Sequence, residues 1–232
     1  MRVAMLSGAS RGVGAAIARR LLDEGWHLSL GLRDPTSAGQ FGAAADRLLA
    51  CRYDARDPKA AGAWVEATLE RFGRIDALIN NAAILHMLTL EEGDERELDD
   101  MWEVNVKAPL RLIRAALPEL RKAGSGRVIN MASTDAKRVR PGAPLGYVMT
   151  KHALHAMTQS VRQEAHADGV RATAICPGAI DTQMIADLPG ATPKAERLQP
   201  DTVAQIVAFV LGLPNQANVA EFIANTRLES TL

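Results

Sequence analysis

Short, uninterrupted apolar runs alternate along the chain with longer stretches in which apolar residues recur every three or four positions. The runs Val3–Leu6, Leu28–Leu32, Leu48–Tyr53, Ala77–Asn80, Val128–Met131 and Val170–Ile175, with Glu221–Ala224 last, predict strands. Helices are predicted over Gly12–Glu24, where Ile17, Leu21 and Leu22 share a face, and over Pro58–Phe72, where Val65, Leu69 and Phe72 do. Further helices are expected over Glu95–Leu120, Leu145–Ala167 and Val203–Leu211. The strands are apolar throughout rather than at alternate positions, the pattern of strands covered on both faces. Their alternation with helices predicts an α/β fold: right-handed βαβ units building a doubly wound parallel sheet with helices on both faces. No repeat or interdomain linker breaks the pattern, so one domain over residues 1–232 is expected. The Pro/Gly/Ala-rich stretch Leu188–Pro200 falls within a short substrate loop at about 183–200.

Composition narrows the classes of function. The formal net charge is zero, which argues against a nucleic-acid or polyanion partner. The two cysteines, Cys51 and Cys176, have no metal-ligand spacing and form no disulfide framework, so a reducing cytoplasm is expected. No apolar run approaches the ~20 residues that cross a bilayer. Met1–Leu6 is cut short by Ser7 and Gly8, so it reads as a buried strand and not as the apolar part of a signal peptide.

Candidate chemistry begins where the first strand runs into Ser7-Gly8-Ala9-Ser10-Arg11-Gly12-Val13-Gly14. Glycines at 8, 12 and 14 let the backbone turn tightly and approach a pyrophosphate at the following helix N-terminus. The spacing is G-x-x-x-G-x-G, and an ordinary glycine-rich turn is the plainer alternative. Further on, Tyr147 and Lys151 sit four apart on a predicted helix and share a face. A free phenol has a pKa of about 10 and is a poor base at neutral pH; an ammonium nearby favours the phenolate. The plainer alternative is a half-buried tyrosine beside a lysine whose stem lies along apolar surface. Ser133 ends the fifth predicted strand, with Thr134 as the rival hydroxyl.

These segments together resemble the short-chain dehydrogenase/reductase family over nearly the whole chain. The family's loop is Thr-Gly-x-x-x-Gly-x-Gly, and Ser7 keeps the threonine's hydroxyl. Asn80-Asn81-Ala82-Ala83 is similar to the family's Asn-Asn-Ala-Gly, and Cys176-Pro177-Gly178-Ala179-Ile180-Asp181-Thr182 to its Pro-Gly-x-x-x-Thr. The resemblance implies a compact, single-domain Rossmann-type oxidoreductase that moves a hydride between a nicotinamide and a small carbonyl or alcohol. Ser133, Tyr147, Lys151 and Asn105 would be catalytic, with Tyr147 the acid/base, Ser133 polarising the substrate oxygen and Lys151 also touching the nicotinamide ribose. Gly8, Ser10, Arg11, Gly12, Val13, Gly14, Arg33, Asp54, Asn80, Ala82, Pro177, Gly178, Ile180 and Thr182 would bind the cofactor, along with Tyr147 and Lys151. The Asn105 main-chain carbonyl would hold a water that links the lysine to solvent. Pro109, four residues on, has no N–H to give that carbonyl. A homodimer or homotetramer is implied, with no membrane partner.

The second predicted strand ends at Gly31-Leu32-Arg33. An acid there would accept from both ribose hydroxyls and repel a 2′-phosphate. Leu32 stands in its place, Arg33 follows, and Arg11 lies in the glycine loop, so NADP(H) is expected rather than NAD(H). An NAD-linked dehydrogenase of the same family, or a non-catalytic NADP(H) sensor, is the alternative. His86, His152 and His155 carry no metal-ligand spacing, and the latter two are expected off the Tyr147/Lys151 face. His86 is a candidate for the pocket wall. Lys137, Arg138 and Arg140 read as a solvated loop or subunit contact before an anionic-substrate site. Met184, Ile185 and Leu188 are either an apolar lid or the buried side of a short helix.

Overall fold

The computed structural model describes residues 1–42, 46–188 and 190–228. Seven strands form one all-parallel sheet: β1 (Val3–Ser7), β2 (His27–Leu32), β3 (Leu48–Arg52), β4 (Ala77–Asn80), β5 (Arg127–Met131), β6 (Arg171–Pro177) and β7 (Glu221–Ala224). Their order is β3-β2-β1-β4-β5-β6-β7, so the strand order reverses between β1 and β4. A cleft opens at the carboxyl ends of the strands at such a reversal.

Helices cover both faces, which is why the central strands carry apolar residues at successive positions. α1 (Gly12–Asp23) and α6 (Pro200–Gly212) pack Ile17, Leu21, Val203 and Val207 against Leu6, Leu28 and Leu30. On the other face lie α2 (Ala60–Phe72), α4 (Ala108–Lys122) and α5 (Leu145–Ala165), where Trp64, Leu112 and Val161 meet Met5, Leu78 and Val128. Trp64 fits because β2 presents Ser29 and Gly31 to it. The indole Nε1 donates to Ser29 Oγ at 2.8 Å, and Ser29 Oγ lies 2.7 Å from Thr68 Oγ1.

The predicted helix over Glu95–Leu120 needs one correction. α3 (Glu95–Trp102) runs into α4 through a π-helical turn at Glu103–Lys107, in which the Ala108 N–H reaches Glu103 O, five residues back. Pro109 cannot close the ordinary bond to residue 105, and a wider turn accommodates the missing donor. The other boundaries shift by a few residues. β6 continues through Cys176 to Pro177 because β7 pairs there, and α6 starts at Pro200, whose ring suits a first helical turn. The segment Pro35–Phe41, for which no element is predicted, is a 3-10 helix capped by Asp34, whose carboxylate accepts from Thr36 N at 3.0 Å. Among the described residues, no helix is long and apolar enough to cross a membrane.

Candidate active site

At the strand reversal lies a cavity of about 1020 Å³, large for a single drug-sized ligand. Its floor is the turn from β1 into α1. Gly8 has φ +72°, and a Cβ there would stand 2.9 Å from Ala82 Cα. A Cβ at Gly14 would stand 2.2 Å from Gly8 O and 2.6 Å from Asn81 Nδ2. The backbone is therefore as close as it can be to the loop after β4. Ser7 ties the two together: its Oγ accepts from Asn81 N and Ala82 N, both at 3.1 Å. α1 starts without a side-chain cap and with no acid in its first turn, so its leading N–H groups are left for an anion. The cradle fits the pyrophosphate of a dinucleotide.

Around this floor the cavity is lined by Ser10, Arg11, Gly12, Val13, Arg33, Asp54, Ala82, Pro177, Gly178, Ile180 and Thr182, all expected from the sequence. Leu32, where an acid would select against a 2′-phosphate, is 2% exposed. Asp34 also lines the cavity and was not anticipated, but its Oδ1 is engaged by Thr36 N and by Thr36 Oγ1 at 2.7 Å. Arg33 is exposed, and no ion pair engages it among the described residues. Arg11 reaches across the mouth and donates to Gln183 Oε1.

The far end holds the expected catalytic side chains. Ser133 follows β5, Tyr147 and Lys151 lie on α5, and all three line the cavity. Ser133 Oγ accepts from Asp135 N at 3.0 Å and is close enough to the Tyr147 phenol to favour its ionised form. Lys151 is 2% exposed, donates from Nζ to Met131 O at 2.6 Å, and lies 5.3 Å from the Tyr147 ring centre. Burial lowers its pKa to about 8. For Tyr147 the direction differs from the sequence expectation. Burial, and then the Asp135 carboxylate, push the phenol above its usual range, and the Ser133 hydroxyl only partly offsets them.

Two expected residues lie outside the cavity wall. Asn80 is 3% exposed within the sheet, where its Nδ2 donates to Asn130 Oδ1 at 2.8 Å, while Asn130 Nδ2 donates to Thr158 Oγ1. A side chain at the last position of β4 points into a layer, so Asn81, Ala82 and Ala83 form the wall instead. Asn105 is 1% exposed. Its Oδ1 accepts from Ile84 N, and its Nδ2 donates to Ile84 O and to Thr150 Oγ1. The side chain thus clamps the loop after β4 to α5, and only the main-chain carbonyl is left for any role beyond that.

His86 turns from the cavity to α3, with Nε2 3.2 Å from Asp100 Oδ2. His155, expected off the Tyr147/Lys151 face, is one turn beyond Lys151 and meets Glu221 Oε2 at 2.8 Å. Glu221 also pairs with Lys137. Arg138 and Arg140, by contrast, line the cavity together with Asp135: Arg138 is enclosed, whereas Arg140 is as solvated as the sequence suggests. An acid four residues past the end of β5, two beyond Ser133, was a usable signal for this wall, and the sequence reading passed over Asp135. Met184, Ile185 and Leu188 line the cavity, and the short 3-10 turn Gln183–Ile185 buries none of its residues, so Met184 and Ile185 are not the buried side of a short helix. Among the described residues no group of His, Cys, Asp or Glu is gathered as metal ligands would be.

The family model described as short chain dehydrogenase matches residues 2–191. An agropine synthesis reductase of Rhizobium rhizogenes is 41% identical over 223 residues, which are 94% of this chain and 50% of that one. The chain thus spans about half the length of that relative. A solved alcohol dehydrogenase of Thermococcus sibiricus, complexed with 5-hydroxy-NADP, is 33% identical, covers 99% of both chains and superposes with a TM-score of 0.89. A 3-ketoacyl-(acyl-carrier-protein) reductase of Brucella melitensis, complexed with NADH, is 28% identical over 97% of both chains, with a TM-score of 0.89.

Proposed function

The chain belongs to the short-chain dehydrogenase family of oxidoreductases, and from that premise we propose that it is an NADP(H)-dependent enzyme acting on a small carbonyl or alcohol, with Tyr147 as acid/base. The observation that carries this reading is that Ser133, Tyr147 and Lys151 stand on the wall of the same cavity whose floor is the glycine turn. When bound, the reduced nicotinamide supplies the hydride. The chain's own residues handle the proton and the charge. Burial and Asp135 keep the proton on the Tyr147 hydroxyl, the form that can be given to an oxygen gaining charge. Ser133, beside that phenol on the cavity wall, would be the second donor to the same oxygen. Lys151, anchored by Met131 O, would hold the nicotinamide ribose and set a positive charge beside the tyrosine. The Asn105 carbonyl, in the π turn that precedes Pro109, would be the outlet from the lysine toward solvent. The segment Pro177–Thr182 would hold the carboxamide.

The NADP(H) preference rests on Leu32 in place of an acid and on Arg33 and Arg11 at the cavity wall. Two guanidiniums suit a phosphate through charge-assisted bonds. Exposed Met149 on α5 and Phe209 on α6 support a homodimer or homotetramer, and the two free thiols support a reducing, cytoplasmic setting. The test is steady-state kinetics with both cofactors. Wild type is expected to favour NADPH, and Arg33→Ala to raise the NADPH KM by roughly tenfold or more. Tyr147→Phe is expected to lose about a hundredfold or more in kcat while still binding NADPH. Equal use of NADPH and NADH by wild type overturns the cofactor assignment, and near-normal turnover by Tyr147→Phe overturns the acid/base.

A further inference from the structure

The catalytic end of the cavity is built as a charged wall. From Ser133 the chain turns through Thr134–Ala136 and returns along Arg138, Arg140 and Gly142 to Pro144 and Tyr147, and all of these except Ala136 line the cavity. Asp135 is 7% exposed, and a carboxylate so buried needs compensating charge. It accepts from Arg138 Nη1, whose side chain is 9% exposed, and from Arg140 Nε at 3.3 Å. On this stretch the wall therefore carries two guanidiniums, Arg138 and Arg140, and one carboxylate.

A wall for a neutral ketone gains nothing from this arrangement, because apolar side chains of similar volume would serve it at lower desolvation cost. Arg140 differs from Arg138: its side chain is 49% exposed, and its bond to Asp135 is single and long. A guanidinium has five N–H donors in a planar fork, so one bond to Asp135 fixes its place and leaves the fork for a second, bidentate acceptor.

Resting on the carbonyl-reducing reading of the same site, we propose that the substrate carries a carboxylate near its reacting carbon, received by Arg140, with Asp135 and Arg138 as positioning residues. Arg140 follows the strand-end turn that begins at Ser133, on the stretch of chain that leads back to Tyr147, so the distance from anion to reacting carbon is set by one short segment. Asp135 alone would repel such a substrate. The sign of the wall therefore depends on its arginines, and Arg140 is the one whose fork is presented to the cavity.

The test uses matched pairs of short oxo acids and their methyl esters, with NADPH for turnover and with NADP+ for binding by calorimetry. Wild type is expected to favour the acids over the esters by about tenfold or more in kcat/KM. In Arg140→Ala that ratio collapses through a raised KM for the acid, and Arg140→Lys restores part of it. Calorimetry is expected to show acid binding that weakens about tenfold in Arg140→Ala. Acids that bind in this Arg140-dependent way but are never reduced would support the anion site and refute the reaction assigned to it. Esters reduced as well as acids, or a ratio unmoved by Arg140→Ala, would overturn the anion site and leave that reaction standing. A loss in Arg140→Ala that falls equally on acid and ester, with a changed oligomeric state, would assign Arg140 to a subunit contact and overturn the proposal.

Discussion

Lys151 is a side chain with 2% exposure that donates to a backbone carbonyl, and burial brings its pKa to about 8. The sign of the pH effect follows from that direction. Below about pH 8 the ammonium is present and stabilises negative charge arising on Tyr147; above it the charge is lost. The kcat/KM for carbonyl reduction is therefore expected to fall as pH rises through about 8, measured by NADPH absorbance with a saturating cofactor. A profile flat from pH 7 to about 9.5 would remove the lysine from the charge balance. At this scale Tyr147, Lys151 and Ser133 could be singled out because the family resemblance gathers residues whose spacing alone leaves a plainer alternative, and the fold brings the three to one cavity wall. The raised acidity threshold of Tyr147 was not legible. It comes from burial and from Asp135, which neighbours the tyrosine through the fold and not along the chain.

Among the elements, the run from α3 to α4 shows what periodicity hides. A π turn inserts within a stretch whose apolar spacing still reads as one helix, so only the proline betrays it. Pro109→Ala supplies an N–H to the Asn105 carbonyl and is expected to draw the turn toward ordinary helix. If the Asn105 carbonyl is the outlet from Lys151, kcat should fall by about tenfold while thermal stability is unchanged or raised. Full activity in that variant would make Pro109 a structural residue only. The strands were easier to read, since burial on both faces leaves a continuous apolar run. Errors gathered where pairing decides the boundary, as at Cys176 and Pro177, which look like a turn in sequence but are bonded to β7. The burial of Asp135 and Arg138 was hidden for a related reason: charged residues in a loop look solvated until the fold closes over them, as it does over these two but not over Arg140.

For the molecule as a whole, the alternation of strands and helices announced the parallel sheet, yet it says nothing about how a large aromatic is housed between layers. Trp64 lies on β2 at Ser29, and its indole N–H, wholly enclosed, has Ser29 Oγ as partner. Ser29→Ala orphans that donor and the Thr68 contact. The expected loss is about 1–3 kcal/mol, seen as a midpoint lower by roughly 2–10 °C in thermal unfolding. An unchanged midpoint would mean the layer closes over the gap and that this polar contact holds little of the fold together.

Of the seven strands β1 is made before the other six, yet it ends in the middle of the sheet. β2 can join one edge of it as soon as α1 is made. The other edge waits for β4, whose neighbour Asp76 accepts from Val3 N at 2.8 Å when it arrives. In the interval a nascent chain shows a bare row of amides beside Met5 and Leu6, a template for any stray strand. Yield on refolding should therefore depend steeply on protein concentration, and chaperones that cover an open strand edge should act on this chain before its second half exists.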